Sequence, residues 1–145
     1  PPERTGSIGS PTTVVYAPEL SVGGILGGIR AGRVFVDLTA SKDRLLDFFA
    51  QNGTRKAVMG EVLETKSGEV VELSAHVVGS RGSRVRVLVD GKEDSSVAPA
   101  AITSADQTIT AKWPSDGKRH WLRADVVSSS GKLEVLGNPV YVSSQ

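Results

Sequence analysis

The sequence RVRVLVDG, from Arg84 to Gly91, gives the clearest indication of the fold class. Its valines alternate with arginine or leucine, which is the period of a β-strand with one buried face and one face partly in water. The Asp90–Gly91 pair that ends the run favours a tight hairpin. The stretch therefore predicts an antiparallel strand that leads directly into a turn.

Short apolar or alternating runs of the same kind recur along the chain. They are Thr12–Ala17, Arg33–Leu38, Arg44–Ala50, Val70–Val78, Gln107–Trp113, Trp121–Val127, Leu133–Leu136 and Val140–Val142. Asp116–Gly117 and Ser130–Gly131 predict two further hairpins. Short strands separated by turn signals are typical of an antiparallel sandwich. The sequence predicts a mainly β protein, an antiparallel Ig-like β-sandwich with one N-terminal strand–helix–strand extension.

The helix of that extension is predicted between Val22 and Ile29. Apolar residues recur there at the spacing of one helical face, and Ser21 precedes them as a candidate N-cap. Arg30 supplies a positive charge at the C-terminal end, and Gly32 is a natural residue to follow the last turn. The helix is therefore expected to stop at this point.

The two sides of this helix differ in kind. Glycine occupies positions 23, 24, 27 and 28 on one side, which lowers helix propensity by roughly 1 kcal/mol each relative to alanine. These glycines either let another group approach the backbone closely or belong to a helix held by tertiary contacts. The apolar side is expected to fold back on the sandwich or to pair with a second chain.

Composition excludes several classes of function. The chain has 145 residues, 17 Lys+Arg against 16 Asp+Glu, a net charge of +1 and no cysteine. The charges are interspersed, which disfavours nucleic acid as a partner. The absence of cysteine excludes disulfides and thiolate metal sites.

No apolar run approaches the length of a membrane span, and the first residues lack signal-peptide features. The missing initial Met favours a fragment of a longer protein, and the cellular compartment stays open.

Two tryptophans flank the turn that starts at Pro114. Trp113 and Trp121 are interpreted first as core anchors of the sandwich. The alternative is a ligand surface formed by Trp113, Trp121 and Arg123 at one end of the sandwich, with carbohydrate as one possible ligand. Exposed indoles would favour this alternative, whereas buried indoles would remove its basis.

The titratable residues do not form a recognisable catalytic pattern. His76 and His120 lack closely spaced partner ligands, the carboxylates are scattered, and no Gly-x-Ser-x-Gly elbow occurs. The Asp90–Asp94 stretch lacks regular calcium-ligand spacing, so a hairpin explains it better than a calcium site. The sequence therefore predicts no catalytic, cofactor-binding or metal-ligating residue, and an independent enzyme is the least favoured hypothesis.

A family resemblance is carried by PTTVVYAPELS (11–21) and ILGGIRAGRVFV (25–36). These segments resemble the end of the catalytic domain of PHP-type metal-dependent phosphoesterases. WLRADV (121–126) through GNPVYV (137–142) resembles the β-sandwich appended to some members. The segments lie between positions 11 and 142 of the chain.

The resemblance implies that this chain carries the end of a catalytic domain (1–43) followed by an accessory β-sandwich (44–145). The metal-binding motifs of the family do not occur in it, so divalent metals are expected only in a preceding N-terminal catalytic domain. The chain itself is expected to be non-catalytic and to serve packing, orientation or oligomerisation. Its expected partners are that catalytic domain or, through the Val22–Ile29 helix, a second copy, with no nucleic acid and no membrane.

Overall fold

A computed structural model describes residues 10–145. In chain order the elements of this range are β1 (Thr12–Val15), α1 (Val22–Arg30), β2 (Val34–Asp37), β3 (Leu45–Asn52), β4 (Arg55–Val58), β5 (Val62–Thr65), β6 (Val70–Val78), β7 (Arg84–Val89), β8 (Lys92–Glu93), β9 (Ala100–Ala101), β10 (Asp106–Pro114), β11 (His120–Val127), β12 (Leu133–Leu136) and β13 (Val140–Ser144). No helix between residues 10 and 145 is long and apolar enough to cross a membrane.

The strands form two sheets. The small sheet has the order β10–β6–β3–β4 and is antiparallel throughout. The large sheet has the order β1–β2–β12–β11–β13–β5; β7 also pairs with β11, and β8 and β9 pair with β7. Every pair in the large sheet is antiparallel except β13 with β5. The predicted antiparallel Ig-like β-sandwich with an N-terminal strand–helix–strand extension is confirmed.

The core lies between the two sheets and is supplied by alternate residues of their strands. Leu46 and Phe48 of β3 and Leu122 and Val126 of β11 are fully buried and belong to one apolar cluster. In β3, Asp47 and Phe49 alternate with the buried residues and are only half-buried. This alternation is the physical basis of the strand pattern in the sequence, because each strand buries one face.

The boundary predicted between residues 43 and 44 does not coincide with a break in the sheet. β2 pairs with β12 and β1 pairs with β2, so the described part of 1–43 extends the large sheet. Phe35 of β2 is buried in the common core, and the Tyr16 hydroxyl donates to the Leu46 carbonyl at 2.9 Å. The Asn138 amide also donates to the Gly32 carbonyl at 2.8 Å. Strand pairing and core burial therefore join residues 12–37 to the sandwich.

Of the two placements expected for the apolar side of α1, folding back on the sandwich does not occur, and pairing with a second chain stays a prediction. Only Gly24 and Gly28 of the four glycines pack inward and are buried, whereas Gly23 and Gly27 are exposed, as are Val22 and Leu26. A Cβ added at Gly28 would lie 2.5 Å from the Tyr16 carbonyl oxygen. Of the two interpretations of the glycines, close backbone approach is the one that the structure shows, because any larger side chain would separate α1 from the segment after β1.

Two of the three predicted hairpins are confirmed. Asp90 and Gly91 both have positive φ angles, 51° and 83°, in the turn between β7 and β8. Ser130–Gly131 lies in the connection between the paired strands β11 and β12. The prediction of a hairpin at Asp116–Gly117 is wrong, because β10 belongs to the small sheet and β11 to the large sheet, so the two strands do not pair. This turn carries the chain across the end of the sandwich instead.

Candidate functional site

Two surfaces of the described residues expose large apolar side chains together. The first, named here the α1 surface, consists of Leu20, Val22, Leu26 and Ile29, with exposed fractions of 97%, 77%, 43% and 49%. The second, named the aromatic row, crosses the outer face of the large sheet and consists of Val62, Tyr141 and Trp121. Contiguous exposed apolar groups of this kind commonly mark binding surfaces, because their removal from water is favourable.

The position of the α1 surface is fixed by the ends of the helix. The Ser21 hydroxyl accepts a hydrogen bond from the Gly24 amide at 3.0 Å, which is the predicted N-cap. At the other end Gly32 has a φ of +72° and directs the chain into β2. Because both ends are held and the glycine side is packed, the apolar side of α1 has one orientation and points away from the sandwich.

The aromatic row is formed by strand register. Trp121 of β11 lies directly opposite Tyr141 of β13, and Tyr141 lies opposite Val62 of β5. Residues opposite each other in neighbouring strands point to the same face, so the three side chains form one line. Tyr141 is 43% exposed and Val62 59% exposed, while Trp121 is half-buried.

Of the three predicted ligand-surface residues, the structure brings two together and separates the third. Arg123 lies beside Trp121, with its guanidinium carbon 5.6 Å from the centre of the indole ring. Trp113 is only 4% exposed and belongs to the core, so its inclusion in a ligand surface is wrong. The physical reason is that Trp113 lies on β10, in the other sheet. Trp113 is therefore the core anchor of the first interpretation, whereas that interpretation is wrong for Trp121, which is half-buried and lies outside the core cluster.

Arg123 is itself held by a buried carboxylate. Its Nε and Nη2 atoms donate to the two oxygens of Asp125, both at 3.0 Å, and Asp125 is fully buried. Arg86 approaches the same carboxylate at 3.5 Å, and the Gly137 amide donates to it at 3.2 Å. The charge of Asp125 is therefore compensated, and the guanidinium against Trp121 has a fixed position.

Beside the aromatic row, His120 lies between two carboxylates. Its Nδ1 is 2.5 Å from Asp90 Oδ2, and its Nε2 is 2.9 Å from Asp116 Oδ1. The other oxygen of Asp90 accepts from the Trp121 amide at 3.0 Å. This cluster joins the β7–β8 turn to the β10–β11 crossover. The sequence did not reveal it, because Asp90 is 30 positions away from His120 in the chain.

The two carboxylates determine the protonation of His120. Partial burial lowers the pKa of His120, but the hydrogen bonds and charges of Asp90 and Asp116 outweigh this effect and hold its pKa above the ordinary value. Burial raises the pKa of Asp90, yet its bonds from His120 and the Trp121 amide leave that pKa below the usual range. For Asp116 the Lys118 amide is the main cause of a lowered pKa, followed by His120.

We expect the His120 cluster to make stability depend on pH. The pKa of His120 is raised in the folded protein, so the protonated imidazole stabilises the fold. This stabilisation is complete below the pKa of the unfolded state, about 6.5, and is lost as the pH rises through the pKa of the folded state. Asp90, Asp116 and the nearby Asp94 all have lowered pKa values, so they stay charged over this range. His120→Gln should therefore lower the free energy of unfolding by about 1 kcal/mol more at about pH 5.5 than at about pH 9.

Urea unfolding of both proteins at the two pH values measures this difference. Arg119→Gln is the matched control, because it removes the positive charge of the neighbouring residue and leaves His120 and its two carboxylates in place. An equal loss at both pH values for His120→Gln would contradict the role of the protonated imidazole.

The remaining candidates for chemistry are engaged in local contacts. His76 Nε2 lies 2.7 Å from Asp106 Oδ1 on the outer face of the small sheet. Asp94, in the stretch considered for calcium, accepts hydrogen bonds from the amide and hydroxyl of Ser96. Within residues 10–145, no group of three His, Cys, Asp or Glu side chains is arranged to hold a metal ion.

Tyr141 and Val62 are surface residues that the sequence analysis missed. A signal was present for Tyr141, because it alternates with Val140 and Val142, which are both buried. Val62 had no comparable signal, because β5 is short and pairs with a strand nearly eighty positions later in the chain.

Comparison with known proteins gives structural neighbours alone. No protein-family model matches the chain, and no curated protein matches it. The solution NMR structure of the CARDB domain of PF1109 from Pyrococcus furiosus is similar with 15% identity and a TM-score of 0.42, over 70% of this chain and 97% of that chain. The crystal structure of that domain in complex with di-metal ions gives 16% identity and a TM-score of 0.40, over 71% and 96% of the two chains.

Proposed function

We propose that this chain is a non-catalytic accessory β-sandwich domain that docks onto a catalytic domain through the α1 surface. The observation that carries the proposal is the orientation of α1. Gly24 and Gly28 are used for internal packing, and Leu20, Val22, Leu26 and Ile29 remain exposed. A soluble domain gains stability when such side chains leave water, at about 1.5–3 kcal/mol for each one fully buried.

The shape of the α1 surface supports rigid docking. α1 is capped at Ser21, and the Gly28 contact with Tyr16 leaves no space for it to shift towards the sheet. A partner therefore meets an ordered apolar ridge, and little conformational entropy is lost on binding. Arg30 is exposed at the end of the ridge and can pair with an acidic group of the partner.

The partner we propose is a PHP-type metal-dependent phosphoesterase domain. The segments that resemble this family, 11–21 and 25–36, contain three of the four residues of the α1 surface, and the fourth, Val22, lies between them. The donor set of the described residues does not fit a divalent metal cluster, because His76 and His120 lie apart and each is already paired with aspartate. In this proposal the catalytic metals belong to the partner domain, and no step of the reaction is assigned to this chain.

The test compares this chain with a longer form of the protein that carries the preceding catalytic domain. We expect bound divalent metal and hydrolysis of p-nitrophenyl phosphate by the longer form and neither by this chain. In the longer form, Leu26→Asp should lower the unfolding temperature by several degrees, because a charge would enter the interface. Val70→Asp is the control, since Val70 is similarly exposed, at 54%, on the small sheet.

Two outcomes would contradict the proposal. Phosphatase activity of this chain alone would make it an enzyme. Equal unfolding temperatures for the Leu26→Asp and Val70→Asp forms would remove the α1 surface from the interface. If Leu26→Asp instead dissociates a dimer of this chain in sedimentation velocity, the surface pairs two copies and the docking proposal fails.

A further inference from the structure

We propose that the aromatic row of Val62, Tyr141 and Trp121 is a carbohydrate-binding platform. This site lies on the outer face of the large sheet and does not involve α1, so it is independent of the proposed docking. The chemical class of ligand is a chain of neutral pyranose rings, and three features of the structure support this choice.

The first feature is the size of the aromatic row. Its members come from three neighbouring strands, β11, β13 and β5. Strands lie about 4.8 Å apart, so the row is about 10 Å long, which is the length of roughly two sugar rings. The row therefore fits a short extended ligand of about this length.

The second feature is the fixed position of Trp121. The Arg123 guanidinium stacks against the ring at 5.6 Å and is anchored by two hydrogen bonds to the buried Asp125. On the other flank, Gly91 is so close that a Cβ there would lie 3.3 Å from Cζ2 of the indole. A ring held in this way offers its exposed surface to the apolar C–H face of a sugar at little entropic cost.

The third feature is the mixture of polar groups around the row. Asp90 and Arg119 line the same surface as the row. The two Asp90 oxygens already bond to His120 and the Trp121 amide, but the side chain is 46% exposed and each oxygen has a lone pair left to accept from a sugar hydroxyl. The exposed guanidinium of Arg119 supplies donors. Sugar hydroxyls need both kinds of partner. Because acceptors and donors are present together beside aromatic rings, the rim suits a neutral polyol better than a purely apolar peptide.

Electrophoresis of this chain through native gels that contain soluble polymers of glucose, xylose, mannose or galactose tests the proposal. We expect at least one polymer to retard the wild-type chain, and Trp121→Ala to weaken this binding by about tenfold or more. Phe49→Ala is the matched control, because Phe49 is also a half-buried aromatic with a stacked cation, Lys56, but lies on the small sheet. Phe49→Ala should bind the polymer as tightly as the wild-type chain does.

Intrinsic fluorescence gives a second readout. Trp113 is buried, so a spectral change on addition of the retarding polymer must come chiefly from Trp121 and should disappear in Trp121→Phe. The proposal is overturned if none of the four polymers retards the wild-type chain, or if Trp121→Ala and Phe49→Ala bind equally. It is also overturned if Trp121→Ala abolishes self-association of the chain, since the row would then contact a second copy.

Discussion

Asp125→Ala should lower the free energy of unfolding by about 3–5 kcal/mol. The Asp125 side chain is fully buried, and its two oxygens accept from Arg123, Arg86 and the Gly137 amide. Removal of the carboxylate leaves the largely buried Arg123 guanidinium without its counter-charge and leaves Arg86 only the exposed Glu93, at 3.7 Å. A buried ion pair that loses one partner in this way costs more than the pair itself contributes, because the remaining charge is poorly solvated.

Urea unfolding monitored by circular dichroism measures this loss. Asp106→Ala is the control, because its carboxylate is 71% exposed and its pairing with His76 is largely screened by water. The control should change the unfolding free energy by about 0.5 kcal/mol or less. If the two alanine variants are equally stable, Asp125 does not hold the arginines as described.

Gly28→Ala should destabilise the protein by about 1–3 kcal/mol. The added Cβ would lie 2.5 Å from the Tyr16 carbonyl oxygen and 2.6 Å from Cγ1 of Val15. A backbone carbonyl cannot rotate away as a flexible side chain can, so α1 would have to move off the segment that follows β1. This movement would also weaken the packing that orients the α1 surface.

Gly27→Ala is the matched control and should have the opposite sign. Nothing lies within 4 Å of a Cβ added at Gly27, which is one residue away on the open side of the same helix. Alanine there should raise stability by up to about 1 kcal/mol through helix propensity. Thermal unfolding of the two variants decides the question, and a loss of stability in both would mean that the glycine side is not specifically packed.

Most strands could be predicted from the sequence because each buries one face. The runs Val70–Val78, Arg84–Val89 and Leu133–Leu136 coincide with β6, β7 and β12. β4, β5 and the two-residue strands β8 and β9 were missed, since none of their sequences alternates between apolar and polar residues. Their pairing depends on residues brought together by the whole fold, and local pattern does not encode it.

The candidate site was predictable only in part, for reasons of geometry. The spacing of Val22, Leu26 and Ile29 correctly predicts a helix, but not whether its apolar or its glycine side faces the sheet. Likewise, Trp113 and Trp121 are close in sequence but belong to different sheets. The resemblance to PHP-type phosphoesterases stays a prediction.

We propose that a catalytic domain covers the α1 surface. Thiol labelling at position 26 measures whether Leu26 is covered. The sequence contains no cysteine, so Leu26→Cys provides a single reactive thiol, and Thr110→Cys on the exposed side of β10 provides the control. Both thiols should react at similar rates in this chain alone. In the longer form with the catalytic domain, we expect Cys at position 26 to react at least about tenfold more slowly while the control is unchanged. Equal rates at position 26 in the two forms would contradict the claim.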